Sequence, residues 1–288
     1  MTDNDKVRLT VAAVRSRKGT PQRLTMVTAY DYPSAVVVDH TPIDMILVGD
    51  SVGNNVLGYL GTVTVTMDEM LHHVRAVVRG ARRTFTVADM PFGSYNASPE
   101  QAVRNGTRFM KAGADAVKLE GGVSHRATVE RLVNAGIPVM GHVGLLPQTL
   151  HPDAWRVQGR DADSAKLVVA DVKSLEEAGA FAIVLEALPA LLAAAITNRC
   201  TVPTIGIAAG QHCDGQVLIW HDVLGLHPLQ PRHVKRYANL AEVITEALSA
   251  YCRDVVDGVF PDEEHSFKMK RDALSAALQS EASSDQSP

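Results

Sequence analysis

Ile46-Leu47-Val48-Gly49 runs straight into Asp50-Ser51, an apolar stretch that ends on a carboxylate and a hydroxyl. The pattern recurs along the chain. Phe85-Thr86-Val87-Ala88 ends in Asp89, Ala116-Val117 is followed by Lys118-Leu119-Glu120, Val139-Met140-Gly141 by His142, and Ile183-Val184-Leu185 by Glu186. Short apolar runs of this kind read as strands buried on both faces, as in a parallel sheet covered by helices. Parallel strands deliver their last residues to one edge, so these polar groups converge on one face. An α/β barrel assembles its active site in this way.

The intervening segments carry helix signals. Thr10 caps a helix ending near Lys18 with Gly19 as its stop, Leu24–Thr28 is the first strand, Tyr32–Asp39 a short helix, and Met45–Val48 the second strand. Thr66 caps a helix over Met67–Arg79 that Gly80 closes, and Phe85–Ala88 is the third strand. Ser98-Pro99-Glu100 starts a helix with proline at its first position; Gln101 completes a capping-box pattern with Ser98, and Gly113 ends the helix. Ala116–Leu119, Val139–Gly141, Phe181–Leu185, Pro203–Ile207 and Val217–Trp220 complete the eight strands. Helices over Arg126–Asn134, Ala162–Ala178 and Ala190–Asn198 lie between them, and Leu240–Val256 is a further helix. Leu145–Gly159, rich in Pro, Gly, His and Trp, reads as a functional lid or rim loop.

Eight strands alternating with helices in roughly 250 residues predict a single-domain (β/α)8 TIM barrel. The expected organisation is an N-terminal helical segment over 1–23, the barrel over 24–267, and a largely disordered extension over 268–288. An open doubly wound sheet is the alternative, but no GxGxxG follows the first strand and no Walker motif occurs.

Composition narrows the function. The net charge of -4 supplies no basic excess for nucleic acid, and 5% aromatic residues leave little for a base-stacking surface. Cys200, Cys213 and Cys252 show no CxxC spacing, which points away from a disulfide framework and towards a reducing compartment. No apolar run approaches the roughly 18–20 residues of a membrane helix, and Met1–Lys6, with two Asp, is a poor signal-peptide start. A cytoplasmic protein without membrane or nucleic-acid partners is expected.

Asp50, Asp89, Glu120 and Glu186 fall at or just after strand ends. One such acid is as often a helix N-cap or a lysine partner as a functional group, but four at equivalent places argue for a site. Crowded carboxylates repel, and a cation relieves that cost. Oxygen-only ligands suit Mg²⁺, and no HExxH or zinc-like histidine spacing is present. Lys118 lies two residues before Glu120, on the same strand face, where it either neutralises that acid or anchors an anionic substrate. His142 alone reads more readily as a core histidine.

The motifs also resemble a known family in order. Met26-Val27-Thr28-Ala29-Tyr30-Asp31-Tyr32, Leu47-Val48-Gly49-Asp50-Ser51-Val52-Gly53, Val87-Ala88-Asp89-Met90-Pro91-Phe92, Asp115-Ala116-Val117-Lys118-Leu119-Glu120-Gly121-Gly122 and Gly141-His142-Val143-Gly144 are similar to ketopantoate hydroxymethyltransferase, and the match extends to Glu264-His265-Ser266-Phe267. The resemblance implies a barrel of the phosphoenolpyruvate/pyruvate type. It also implies Mg²⁺-dependent hydroxymethyl transfer from 5,10-methylenetetrahydrofolate to 3-methyl-2-oxobutanoate, in pantothenate synthesis, by a homo-oligomer that is commonly a decamer of stacked pentamers. Carried over residue by residue, it makes Asp50 and Asp89 the metal-binding aspartates, which also meet the substrate, and Glu120 a metal-site acid held near the metal through water. Ser51 and Lys118 become contacts to the oxo acid, His142 a residue lining the site, and Glu186 the catalytic base, with a proton affinity expected to be raised by partial burial. The chain departs from the family's usual motifs at Ala208, Leu146 and His151-Pro152-Asp153-Ala154-Trp155-Arg156. The alternatives are another Mg²⁺-dependent oxo-acid C–C lyase of the same barrel class, or a non-catalytic barrel that binds an oxo acid.

Overall fold

Eight parallel strands close into a barrel in sequence order. They are β1 (Leu24–Thr28), β2 (Met45–Val48), β3 (Phe85–Asp89), β4 (Ala116–Glu120), β5 (Val139–Gly144), β6 (Ala182–Glu186), β7 (Thr204–Ile207) and β8 (Gly215–Leu218), with β8 pairing back onto β1. The computed structural model describes residues 6–149, 155–228 and 230–282. Helices α1 (Val11–Arg15), α2 (Tyr32–Asp39), α3 (Met67–Gly80), α4 (Pro99–Ala112), α5 (Arg126–Asn134), α6 (Ala162–Glu177), α7 (Ala190–Arg199) and α8 (Trp220–Val223) accompany the strands. One compact unit runs to Tyr237, and a second, from Ala238, contains α9 (Leu240–Val256) and α10 (Arg271–Ala282). Among the described residues no helix is long and apolar enough to cross a membrane.

The strand period of two sorts each strand into two faces. Outward residues such as Val27, Ile46, Val117, Leu119 and Ile183 join Val74, Val77, Phe109, Leu132 and Leu175 in one apolar cluster. Inward residues such as Met26, Met45, Phe85, Ala116, Met140, Ala182 and Ile205 fill the barrel from within. Continuing the inward series towards the C-terminal ends reaches Asp89, Lys118, Glu120, His142 and Glu186. The barrel is therefore apolar at its base and charged at its mouth, on the same faces of the same strands.

The structure differs from the sequence reading in several places. Gly80 is the last residue of α3 rather than its stop, and a side chain there would fall 2.7 Å from Tyr32 O and 2.9 Å from Ala35 Cβ. The glycine lets α3 lie against α2. Ser98 caps α4 through Gln101 N, but the Gln101 side chain donates to Gly93 O instead of closing a capping box. The eighth strand ends at Leu218, and Trp220, whose backbone N–H donates to Thr28 Oγ1, begins α8. The extension expected to be largely disordered contains α10, whose alanines and leucines are good helix formers.

Candidate active site

Strand register places the predicted residues side by side. Asp89 pairs with Lys118, Glu120 with His142, and Gly144 with Glu186. Asp50 and Ser51 follow β2 and lead into a π-helical turn, Gly53–Leu57, of the sort that often marks functional sites. The Asp50 N–H donates to Asp89 Oδ2 at 3.2 Å, and Lys118 Nζ lies 2.8 Å from Asp89 Oδ1 and 3.2 Å from His142 Nδ1. His142 stands between two acids, with Nδ1 3.5 Å from Glu120 Oε1 and Nε2 3.1 Å from Glu186 Oε2. The second contact is an ion-pair approach whose N–H is off the line of a hydrogen bond. Tyr30 OH meets Ser51 Oγ at 2.8 Å. All these site residues line one cleft of about 500 Å³ except Tyr30. The side chains of Asp50, Asp89, Lys118, Glu120 and His142 are buried, whereas Glu186 keeps 19% of its side-chain surface exposed.

The ketopantoate hydroxymethyltransferase family model matches residues 8–263. The chain belongs to this family. It is 53% identical over 277 residues to the 3-methyl-2-oxobutanoate hydroxymethyltransferase of Chloroflexus aurantiacus, covering 96% of this chain and 98% of that protein. It is also 53% identical over 270 residues to the enzyme of the same name from Carboxydothermus hydrogenoformans, covering 93% and 98%. Among solved structures it resembles a phosphoenolpyruvate phosphomutase from Streptomyces platensis subsp. rosaceus, with a TM-score of 0.58 at 15% identity over 96% of both chains. A 2,3-dimethylmalate lyase of the PEP mutase/isocitrate lyase superfamily gives 0.56 at 14% identity, over 96% of this chain and 99% of that one. These two likenesses concern the fold.

After β7 this chain places Ala208, at φ 53°, in the wall of the cleft. Ala187, at φ 50°, stands beside it, its N–H donating to Ile207 O at 2.9 Å. Both occupy the left-handed region, which costs an L-residue about 1–2 kcal/mol.

Electrostatics set the carboxylates apart. Burial, reinforced by Glu120, pushes the Asp50 carboxyl above its ordinary range. Burial pushes Asp89 up to about 7, against the pull of Lys118. Burial and the Lys118 charge lower His142, but its contacts with Glu120 and Glu186 carry it to about 9. Lys118 is held well above its usual value, because Asp89, Glu120 and Asp50 outweigh its desolvation. Fully ionised, four carboxylates face one ammonium and one imidazolium, a deficit of two positive charges. A dication bound by oxygen suits that deficit. Among the described residues no three His, Cys, Asp or Glu side chains form a metal-binding group. Two carboxylates are enough for Mg²⁺, which keeps waters and substrate oxygens as its other ligands. Glu120 is turned elsewhere, with Oε2 accepting from Gln148 N at 3.0 Å and Oε1 facing His142.

Sequence reasoning missed Tyr95 and Gln148, both buried beside the acids. Gln148 stands just after Pro147, four residues beyond β5, in the stretch read as a lid. Its sequence signal was its place in the run Gly144-Leu145-Leu146-Pro147-Gln148, which resembles a family motif. The described ends of that stretch are anchored: Leu145 N–H donates to Glu186 O at 2.9 Å, and Gln158 N–H to Ala187 O at 2.8 Å. Gly144, at φ 97°, permits the first contact, since a side chain there would fall 2.2 Å from Glu186 O. The segment 150–154, including most of the divergent sequence, lies outside the described residues. Cys213 is buried, and burial raises its thiol above the ordinary range.

Proposed function

We propose that this protein transfers a hydroxymethyl group from 5,10-methylenetetrahydrofolate to 3-methyl-2-oxobutanoate, giving 2-dehydropantoate. The observation that carries the reading is the division of acids across one cleft. Asp50 and Asp89 stand by β2 and β3, and Glu186 ends β6, three strands further round the barrel.

Asp50 and Asp89 would hold Mg²⁺, which when bound supplies a Lewis acid at the oxo-acid oxygens and so favours loss of the C3 proton. Lys118, 2.8 Å from Asp89 Oδ1, keeps further N–H donors for the substrate carboxylate, and the Ser51 hydroxyl lines the same cleft. Glu186 takes the C3 proton. His142, held by contacts to both Glu120 and Glu186, fixes the direction from which that carboxylate approaches. C3 then attacks the folate-borne methylene carbon. Overall one C–C and one C–O bond form, two C–N bonds break, water supplies the hydroxyl oxygen, and tetrahydrofolate leaves. The Leu145–Gly159 stretch, with Leu145, Pro147 and Val157 in the cleft wall, shields the carbanion from water.

The family resemblance supports a homodecamer working in the cytoplasm, and light scattering of the purified protein tests the assembly. The reaction is tested by NMR of 3-methyl-2-oxobutanoate in deuterated water. Mg²⁺-dependent loss of the C3 proton signal is expected, and its absence would favour a non-catalytic oxo-acid-binding protein. Glu186→Gln should slow that exchange by about 10²-fold or more, the typical share of a general base, while calorimetric binding of Mg²⁺ and oxo acid persists. Exchange at the wild-type rate would remove Glu186 from the role.

A further inference from the structure

Gln148 is 2% exposed and makes four hydrogen bonds into the site. Its Nε2 donates to Asp50 Oδ2 at 2.7 Å and to Met90 O at 2.9 Å. Its Oε1 accepts from Tyr95 OH at 2.7 Å, and its backbone N–H donates to Glu120 Oε2 at 3.0 Å. One residue therefore touches two of the acids that the sequence singled out, one through its side chain and the other through its main chain.

The orientation of the amide follows from its neighbours. Met90 O can only accept, as can an ionised Asp50, so the Gln148 NH₂ must face them. Reversing the amide would set its oxygen against a carboxylate and a carbonyl. Tyr95 enforces the same choice. Its hydroxyl receives the Glu120 N–H at 3.3 Å, which leaves its own proton for Gln148 Oε1, nearer at 2.7 Å than Glu120 O at 3.2 Å. The Tyr95 ring is held by an edge contact with His125, centroids 5.1 Å apart. The amide is also neutral. It ties down one Asp50 oxygen without adding charge to an already acid-rich cluster, and it leaves the other oxygen for a cation.

We propose that Gln148, oriented by Tyr95, is the positioning residue of the cation site, fixing Asp50 through its amide and Glu120 through its backbone. The inference rests on the reading of Asp50 and Asp89 as that site. It makes Pro147-Gln148, at the stem of the Leu145–Gly159 stretch, part of the binding machinery rather than part of a moving cover.

The test is calorimetric titration of Mg²⁺, with and without 3-methyl-2-oxobutanoate, into wild type, Gln148→Leu and Tyr95→Phe, alongside thermal melts. Gln148→Leu should weaken Mg²⁺ binding at least tenfold and raise the Mg²⁺ and oxo-acid KM values, with the folate KM unmoved. Tyr95→Phe, which removes only the orienting hydroxyl, should shift the same constants in the same direction by a smaller factor. A merely structural role would lower the melting temperature and leave the Mg²⁺ affinity of the folded variants within twofold of wild type, and that result overturns the proposal. If Gln148→Leu does not fold, an unchanged Mg²⁺ affinity in Tyr95→Phe overturns it alone. Absence of Mg²⁺ binding in wild type would instead bring down the cation-site reading itself.

Discussion

Ala208 shows how a single side chain is set against its backbone. At φ 53° it sits where glycine is at ease, on the cleft wall beside Ile207, which pairs with Glu186. Ala208→Gly exchanges a left-handed penalty of about 1–2 kcal/mol for glycine's added chain entropy of about 0.5–1 kcal/mol. Urea unfolding should find that variant up to about 1.5 kcal/mol more stable than wild type. Ala208→Val puts a branched side chain into the same conformation and should lose about 1–3 kcal/mol. A stabilised valine variant would contradict the strain. At this scale the acids were legible because a charged residue at the end of an apolar run is conspicuous. Gln148 was not, because its importance lies in partners as far away in sequence as Asp50, and nothing local announces them.

Several elements were legible in full. Tyr32–Asp39, Met45–Val48, Arg126–Asn134 and Leu240–Val256 have the bounds that their sequence predicts. Gly80 misled because a glycine that ends a helix and a glycine that admits a neighbouring helix look alike in one dimension. Asp214 is a contact that spans elements. Its Oδ1 accepts the Gly19 N–H at 2.9 Å, and Oδ2 accepts the Thr204 N–H at 2.8 Å and lies 2.9 Å from Lys18 Nζ, joining the segment after α1 to the starts of β7 and β8. Burial alone would raise this carboxyl, but the Thr204 and Gly19 N–H groups and Lys18 hold it below the usual range. Asp214→Asn should cost about 1.5–3 kcal/mol at neutral pH, the worth of hydrogen bonds to a charged group. A lowered folded pKa means that the contribution is complete above the unfolded value near 4 and fades as pH falls through the folded one. Denaturation curves of the two proteins should therefore converge in acid. A gap that persists at pH 2 would show that Asp214 acts through packing instead.

At the scale of the whole molecule the sequence predicts the closed barrel, since eight buried runs with crossover helices between 24 and 267 admit few other closures. The helix Arg271–Ala282 went unrecognised, because its weakly patterned sequence runs into a polar tail. The charge deficit at the barrel mouth has a global consequence. A cation that binds the folded protein and not the unfolded chain stabilises by mass action, about 2.7 kcal/mol at a hundredfold excess over Kd. Mg²⁺ should raise the melting temperature and a chelator should reverse the shift, whereas Asp89→Asn should blunt the response; a wild-type melt indifferent to Mg²⁺ would argue against the site. The two hydrogen bonds that tether Leu145 and Gln158 to Glu186 and Ala187 bring the ends of this stretch together on one dipeptide. Gln148, inside this stretch, is a further anchor through Asp50 and Glu120, so chain length is thermodynamically inexpensive to vary only between Gln148 and Gln158. Residues 151–156 fall between the two tethers in sequence. Changes of length or sequence there should therefore leave Glu186 where the barrel puts it.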